Sequence, residues 1–173
     1  MSRESISEAF SLVAGTPESY LEVGCADGGS LLDALASFPS LMRVAVADTW
    51  GREYGGTGRG GHQHIERAVA NLFPQVRVDF YDGDSHQTLP QIVDRFDLIL
   101  VDGDHSEVGA RQDLDDAWHL LRAGGTLIFD DVGHPEHDYL ADVFTCFIDS
   151  RQPGWRMKLE PGTGFAIVTK ADA

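Results

Sequence analysis

Short apolar runs alternate with segments of helical period along most of the chain. From residue 20 onward, five β-rich runs predict strands at 20–23, 43–47, 76–81, 97–101 and 126–129. The segments between them place apolar residues on one helical face each: Leu31, Leu32 and Leu35; Ile65, Val69, Leu72 and Phe73; and Val108, Leu114, Ala117, Trp118 and Leu121. This alternation predicts an α/β fold with a mainly parallel sheet and helices on both of its faces.

The C-terminal part of the sequence departs from this alternation. A last helix is predicted around 139–150, followed by strands at 155–160 and 165–170 that the turn 161–164 joins as a hairpin. We therefore expect a seven-stranded, mostly parallel sheet closed by an antiparallel C-terminal hairpin. Residues 1–173 are expected to form one domain, with a short helical segment at 1–19. The stretch 51–61 contains six glycines and is expected to be a flexible lid over a ligand.

Composition narrows the function classes. The chain of 173 residues is 42% hydrophobic and 24% charged, and it shows neither an apolar run of membrane-spanning length nor a secretory signal. Two cysteines suit a reducing compartment, so we expect a cytoplasmic protein. The formal net charge of −15 opposes approach to phosphate polymers and anionic lipid. We therefore expect neither a nucleic acid nor a membrane partner.

The turn after the first predicted strand has the spacing Glu22-x-Gly24-x-x-x-Gly28. Gly24 permits a tight turn, and Gly28 lets backbone N–H groups approach a ligand at the positive end of the next helix. The spacing differs from the dinucleotide-binding fingerprint. It resembles motif I of the class I S-adenosylmethionine (SAM) methyltransferases, whose leading acid recognises the methionine end of the cofactor. By this resemblance, Glu22, Gly24, Ala26, Gly28 and Ser30 would bind SAM.

All five predicted strands of the parallel part end in carboxylates. They are Glu22, Asp48, Asp82 with Asp84, Asp102 with Asp104, and Asp130 with Asp131. In open α/β sheets the ligand crevice lies at these strand ends, so their repetition indicates a binding edge. Asp48, followed by Thr49, has the position from which an acid accepts hydrogen bonds from both ribose hydroxyls of a nucleoside. The resemblance to methyltransferases places Gly83, Asp84 and Ser85 at the adenine base.

Four of these carboxylates are predicted to converge. Asp102 and Asp104 follow one strand, and Asp130 and Asp131 follow its expected neighbour. Carboxylates at such short separations would repel one another and raise one another's pKa values unless a cation neutralised them. Ligands that are all oxygen favour a hard ion such as Mg²⁺. The sequence therefore predicts a metal site beside the cofactor site.

A more specific resemblance rests on several short motifs. They are Asp102-Gly103-Asp104-His105-Ser106, Gly109, Arg111, Asp113-Leu114, Gly124-Gly125 and Phe129-Asp130-Asp131. Together they look like the macrocin-type, metal-dependent sugar O-methyltransferases, and similar carboxylate spacing occurs in catechol-type O-methyltransferases. The resemblance implies a Rossmann-like methyltransferase fold and Mg²⁺ on Asp102, Asp130 and Asp131. It also implies a cofactor contact for Asp102 and proposes either His105 or Asp104 as the catalytic base.

Two departures from that family bear on the acceptor. Glu107 stands where an aromatic residue is usual, and only about 19 residues precede the first predicted strand, too few for a helical substrate cap. The pocket is therefore expected to be open, or to be completed by the 51–61 loop and a second subunit in a homodimer. His134 and His137 follow closely on Asp131 and are expected near the acceptor mouth.

Three hypotheses about function follow from the sequence. The first is Mg²⁺-dependent O-methylation, with SAM, of a small acceptor that carries vicinal hydroxyls, such as a sugar or a catechol. The second keeps SAM but removes the metal, so that Asp104 and His105 deprotonate the acceptor directly. The third is a non-catalytic SAM- or nucleoside-binding subunit.

Overall fold

The described part of the chain forms one seven-stranded sheet. The computed structural model describes residues 3–51, 61–149, 151, 155–160 and 163–171. Its strands are β1 (Ser19–Val23), β2 (Arg43–Asp48), β3 (Arg77–Asp82), β4 (Phe96–Val101), β5 (Leu121–Asp130), β6 (Arg156–Glu160) and β7 (Thr163–Thr169). Their order across the sheet is β3-β2-β1-β4-β5-β7-β6. Strands β1 to β5 pair in parallel, and β7 runs antiparallel to both β5 and β6. The predicted sheet architecture is confirmed.

Helices cover both faces of the sheet, as predicted. They are α1 (Arg3–Ser11), α2 (Gly29–Ser37), α3 (Gln63–Leu72), α4 (Ser85–Thr88), α5 (Glu107–Leu120) and α6 (Leu140–Asp149). One buried cluster joins the sheet to α5 and α6, and a second cluster joins it to α1, α2 and α3. None of the helices in the described ranges is long and apolar enough to cross a membrane.

The strand order creates the crevice that positions the site. The chain runs outward from β1 through β2 to β3, and then returns to the other side of β1 as β4. Between β1 and β4, the loops that follow the strands diverge to opposite faces of the sheet, which is where open α/β sheets bind ligands. Each strand of the pair is buried on both faces, as expected for a parallel sheet covered by helices.

Strand β5 differs most from its prediction. It begins at Leu121, five residues before the predicted start, so Leu121 lies in the strand and not on the face of α5. The reason is a register shift against β4, where the pair Phe96–Leu121 is followed by Leu98–Thr126. Gly124, at φ +74°, lies within the extra length of chain. Strands β1 to β4 begin and end within one residue of their predictions, and β7 begins two residues early.

Two predicted segments fall largely outside the described residues. Of the proposed glycine-rich lid at 51–61, only the two end residues are described, so its role as a lid stays a prediction. The centre of the hairpin turn, residues 161 and 162, also lies outside the described ranges. The predicted N-terminal helical segment contains helix α1, and the last helix begins at Leu140.

Gly24 provides a direct test of how the crevice is built. It has φ +79°, and a Cβ atom there would lie 2.0 Å from the backbone oxygen of Asp102. The Cβ atom is fixed to the backbone and the oxygen belongs to the backbone, so neither atom can rotate away. We expect Gly24→Ala to lower the melting temperature in a thermal unfolding experiment, because the added methyl group would force the loops after β1 and β4 apart.

Gly15 is the matched control for this change. It has φ +80°, but nothing lies within 4 Å of a Cβ added there. We expect Gly15→Ala to cost only the backbone strain of about 1–2 kcal/mol. Equal losses of stability for the two variants would contradict the close contact with Asp102.

Candidate active site

A cavity of about 490 Å³ lies at the carboxyl ends of β1, β2, β3 and β4. This volume is in the range of small-molecule and cofactor sites. Twelve of the residues predicted for the site line it: Gly24, Ala26, Ser30, Asp48, Thr49, Gly83, Asp84, Ser85, Asp102, Asp104, His105 and Asp131. Three predicted residues, Glu22, Gly28 and Asp130, are not among the lining residues.

Glu22 lies beneath the turn and is completely buried. Its carboxylate accepts a hydrogen bond of 2.9 Å from the hydroxyl of Tyr20 and another from the hydroxyl of Ser30. Burial raises the pKa of Glu22 to about 8, and these hydrogen bonds act in the opposite direction. Glu22 therefore supports the first turn of α2 from below. The cofactor contact that the resemblance implies for it stays a prediction.

Gly28 has a different constraint from the one expected. Its φ is +81°, and a Cβ atom there would lie 3.0 Å from the side chain of Ile65 in α3. The positive φ favours glycine here, and any larger residue would also press against the Ile65 side chain. The residue on the cavity side is its neighbour Gly29, where an added Cβ would meet nothing within 4 Å. Gly29 thus leaves the N-terminus of α2 open on the cavity side, and the ligand approach predicted for Gly28 stays a prediction.

Asp48 holds the turn in shape. Its carboxylate accepts the backbone N–H groups of Cys25 at 2.7 Å and of Ala26 at 2.9 Å, and that of Trp50 as well. Ala26 and Trp50 both have positive φ, at 48° and 56°, and these hydrogen bonds offset part of the resulting strain. Asp48 still borders the cavity, and its predicted contact with a ribose stays a prediction.

A buried carboxylate that sequence reasoning did not assign connects the loops after β3 and β4. Asp113 of α5 is fully buried, and burial raises its pKa. Its Oδ2 accepts the backbone N–H of Asp104 at 3.0 Å, and the hydroxyl of Ser85 donates to the same carboxylate. His86, which also lines the cavity, places Nε2 3.4 Å from Oδ1 of Asp113. The available sequence signal was an aspartate on the buried face of α5.

Asp84 and Asp104 each act at the beginning of a helix. Asp84 accepts the backbone N–H of His86 at 2.9 Å and caps α4. Asp104 accepts the backbone N–H of Ser106 at 2.7 Å. A Cβ atom on Gly109 would lie 2.0 Å from Oδ2 of Asp104, so the glycine makes room for this carboxylate. Both aspartates remain on the cavity wall.

The structure brings three carboxylates and one imidazole together at the other end of the cavity. Nε2 of His105 lies 3.4 Å from Oδ1 of Asp102 and 3.6 Å from Oδ2 of Asp131. Asp130 and Asp131 are buried, at 2% and 5% exposure. Both carboxylate oxygens of Asp130 and Oδ1 of Asp131 have no hydrogen-bond partner of good geometry among the described residues, although the backbone N–H of Asp131 is near enough to Asp130 to lower its pKa. Buried polar atoms rarely lack partners, so these oxygens are acceptors that remain available at the site.

The pKa shifts follow from this crowding. Burial, and then the charges of Asp102 and Asp131, raise the pKa of Asp130 to about 8. Burial also raises the pKa of Asp102, with a further contribution from Asp131. The pKa of His105 is raised mainly by its interaction with Asp102, which stabilises the imidazolium. The charges of Asp102 and Asp131 thus disfavour ionisation of Asp130, whereas Asp104, the fourth carboxylate of the prediction, is not among the causes of these shifts.

Two further histidines extend outward from this end of the cavity. The rings of His105 and His137 lie 5.1 Å apart, and those of His137 and His134 are separated by the same distance. The hydroxyl of Tyr139 donates to the backbone oxygen of His105 at 2.6 Å and also contacts Nδ1 of His137 at 3.1 Å. Neither His134 nor His137 lines the cavity itself. The prediction that His134 and His137 lie near the entrance of an acceptor site stays a prediction.

The chain resembles known proteins in sequence and in fold. No curated protein sequence matches it, but a sequence family described as a methyltransferase domain matches residues 21–132. An O-methyltransferase from Bacillus cereus in complex with S-adenosyl-L-homocysteine (SAH) is 20% identical, with 98% of this chain and 82% of that chain covered and a TM-score of 0.70.

A second solved structure has a different named activity. The N-methyltransferase NodS from Bradyrhizobium japonicum WM9, in complex with SAH, is 19% identical, with 98% of this chain and 86% of that chain covered and a TM-score of 0.69. These likenesses confirm the predicted Rossmann-like methyltransferase fold. The macrocin-type subfamily stays a prediction.

The raised pKa of Glu22 predicts a pH dependence of stability. Between its ordinary value of 4.5 and about 8, the folded chain retains a proton that the unfolded chain releases. The contribution of Glu22 to the free energy of unfolding therefore falls as pH rises through this window. A neutral amide cannot ionise, so Glu22→Gln should become more stable relative to the wild type as pH rises. Thermal unfolding at pH 5 and at pH 8 measures the difference.

Exposed Glu66 provides the control for this prediction, because α3 places its side chain in solvent. Glu66→Gln should leave the pH dependence of the melting temperature unchanged. If Glu22→Gln followed the wild type in parallel from pH 5 to pH 8, the carboxyl of Glu22 would not be protonated in the folded chain at neutral pH.

Proposed function

The chain belongs to the methyltransferase-domain family, and we therefore propose that it transfers a methyl group from SAM to a hydroxyl of a small acceptor with the help of a divalent cation. The observation that carries the proposal is the composition of one cavity. Its walls combine the glycine turn, the strand-end residues Asp48 and Ser85, and a group of crowded carboxylates. A cofactor pocket and a cation site would thus share one space.

The cavity suits SAM for three physical reasons. The N-terminus of α2 opens on it at Gly29, where no side chain blocks the approach of a carboxylate. Asp48 borders it as an acceptor for ribose hydroxyls, and Asp84 and Ser85 supply an acceptor and a hydroxyl for a base. The bound cofactor would supply a methyl group activated by its positively charged sulfur.

The carboxylates also fit a divalent cation. Three buried oxygens of Asp130 and Asp131 lack partners within the described ranges, and a cation would satisfy them and relieve the repulsion that raises the pKa values. By the resemblance to the macrocin-type methyltransferases, Asp102, Asp130 and Asp131 would be its ligands. A bound cation would supply Lewis-acid stabilisation of an acceptor oxygen as it loses its proton.

The remaining chemistry belongs to side chains on the cavity wall. His105 and Asp104 lie beside the carboxylates, and either can accept the proton of an acceptor hydroxyl. No protein nucleophile is required, so positioning of the acceptor against the methyl group accounts for most of the acceleration. An acceptor with vicinal hydroxyls, such as a sugar or a catechol, can bind the cation through both oxygens. A second subunit would complete the acceptor side in a homodimer.

Asp131 gives the most specific test of this proposal. Asp131→Asn removes one charge from the cluster while keeping the shape of the side chain. We expect methyl transfer in the presence of Mg²⁺ to fall by about 100-fold or more, since the cation loses a ligand. Binding of SAM and SAH, measured by titration calorimetry, should be nearly unchanged. Transfer is measured with methyl-labelled SAM and a panel of sugars and catechols.

The control is Asp138→Asn, because Asp138 is exposed and follows the same strand end by a few residues. It should retain full activity. Wild-type transfer that persists in EDTA would support the metal-independent mechanism with Asp104 and His105. Binding of SAM without turnover of any acceptor would indicate a binding subunit, and failure to bind SAM at millimolar concentration would contradict both enzymatic readings.

A further inference from the structure

At the crowded end of the cavity, the ring nitrogen Nε2 of His105 lies near two carboxylates, at separations that would let one ion bind all three groups. Nε2 of His105 is 3.4 Å from an oxygen of Asp102 and 3.6 Å from an oxygen of Asp131. These three residues offer ligand atoms that all lie within 4.8 Å of one another. A tetrahedral ion with bonds of about 2.0–2.1 Å holds its ligand atoms about 3.4 Å apart. The two separations from Nε2 are close to that value before any ion is bound.

The same separations fit a hydrogen bond poorly. Charge-assisted hydrogen bonds between an imidazolium and a carboxylate are typically about 2.7–2.9 Å long. An imidazolium between Asp102 and Asp131 would shorten at least one contact to this range, whereas both are longer. The second contact is also too long for a hydrogen bond. The contact with Asp102 is a hydrogen bond near its upper length limit and the contact with Asp131 exceeds that limit, so an ion shared by the three side chains would account for both distances.

The unpartnered oxygens are an independent observation in favour of an ion. Oδ1 of Asp131 and both oxygens of Asp130 are buried without a hydrogen-bond partner among the described residues. One N–H of His105 can satisfy only one acceptor at a time. A cation held by Asp131 could satisfy that side chain directly, and water bound to the cation could donate to the oxygens of Asp130. Asp130 does not belong to the group whose ligand atoms lie close together, so it adds charge beside the ion.

The backbone holds these ligands in place. The hydroxyl of Tyr139 donates to the backbone oxygen of His105 at 2.6 Å, and the adjacent Asp104 donates its N–H to the buried Asp113 at 3.0 Å. Asp131 has φ +58°, a left-handed conformation that is uncommon outside glycine, although aspartate adopts it more readily than most residues. Strain of this kind is concentrated at functional sites, and here it occurs at a residue of the cluster.

We propose that His105 is a ligand of the cation together with Asp102 and Asp131, and that the site therefore takes a first-row transition ion in preference to Mg²⁺. This inference rests on the proposed function for the presence of a cation, and it changes both the ligand set and the class of metal. Imidazole nitrogen suits ions of the Fe²⁺, Co²⁺ and Zn²⁺ type, whereas Mg²⁺ prefers oxygen ligands alone. As a ligand, His105 is not available as the base, which leaves Asp104 for that role.

The decisive experiment uses electron spin-echo spectroscopy on the metal-free full chain loaded with Mn²⁺, a paramagnetic probe that both oxygen and nitrogen sites accept. A directly bound imidazole gives a nitrogen coupling that oxygen ligands cannot give. We expect this coupling in the wild-type protein, and we expect it to disappear in His105→Ala. His134, Glu136 and His137 form a second group of possible ligands, so a wild-type coupling is assigned to His105 only if it persists in His137→Ala. That comparison does not depend on the folding of the His105 variant.

Two variants serve as matched controls. His137→Ala removes an imidazole whose ring lies 5.1 Å from that of His105 but which is outside the three-residue cluster, so the coupling should persist. Asp130→Asn should also retain it. In competition titrations, the wild type should bind Co²⁺ at least about tenfold more tightly than Mg²⁺, and this preference should shrink in His105→Ala.

The outcomes separate this inference from the proposed function. Bound Mn²⁺ without nitrogen coupling in the wild type would overturn the assignment of His105, even if methyl transfer were observed. No binding of Mn²⁺ would overturn the assignment together with the cation dependence. Nitrogen coupling in a chain that fails to bind SAM would support the metal site and contradict the proposed methyl transfer.

Discussion

The burial of like charges at the ends of β4 and β5 is the constraint on which the site depends. Asp130 and Asp131 are almost fully excluded from solvent, and Asp102 lies close enough for its charge to raise the pKa of Asp130. A charged carboxylate buried without partners costs free energy, which is offset either by protonation, as the raised pKa of Asp130 shows, or by a bound cation. A bound ligand that offsets this cost would explain why Asp102, Asp130 and Asp131 occur together. A divalent cation has both the charge and the number of coordination positions to do so.

The surrounding fold serves to bring backbone and carboxylates close together. Glycine at position 24 lets the turn after β1 pass within contact distance of the Asp102 carbonyl. Asp48 fixes that turn through backbone N–H groups, and Asp113 fixes the loops after β3 and β4 from below. These two aspartates act on the backbone, so mutation of either would change the cavity without removing an atom that reacts. Rigid support of this kind is what a precise binding site requires.

Much of the fold and the location of the site could be predicted from the sequence, because both follow from periodicity. Apolar runs located β1 to β4 to within one residue, and the rule that ligands bind at strand ends located most of the cavity wall. Contacts between distant segments could not be predicted in this way. The packing of Gly28 against Ile65 and the role of Asp113 both depend on how helices sit on the sheet.

The arrangement of the proposed metal ligands also could not be predicted from the sequence. Spacing along the chain placed Asp130 and Asp131 together, but adjacent residues of a strand point to opposite faces. The fold turns Asp131 toward Asp102 and His105, while Asp130 remains buried beside them. The rotation of Asp131 into a left-handed conformation has no signal in the sequence, because aspartate does not require it.

The most direct test of this account is a crystal structure of the full chain with SAH and Co²⁺, collected at the cobalt absorption edge. The account predicts one anomalous peak bounded by Asp102, His105 and Asp131, with SAH over the Gly24 turn in the same cavity. Anomalous density elsewhere, or a cavity that holds SAH while the carboxylates keep no ion, would contradict it.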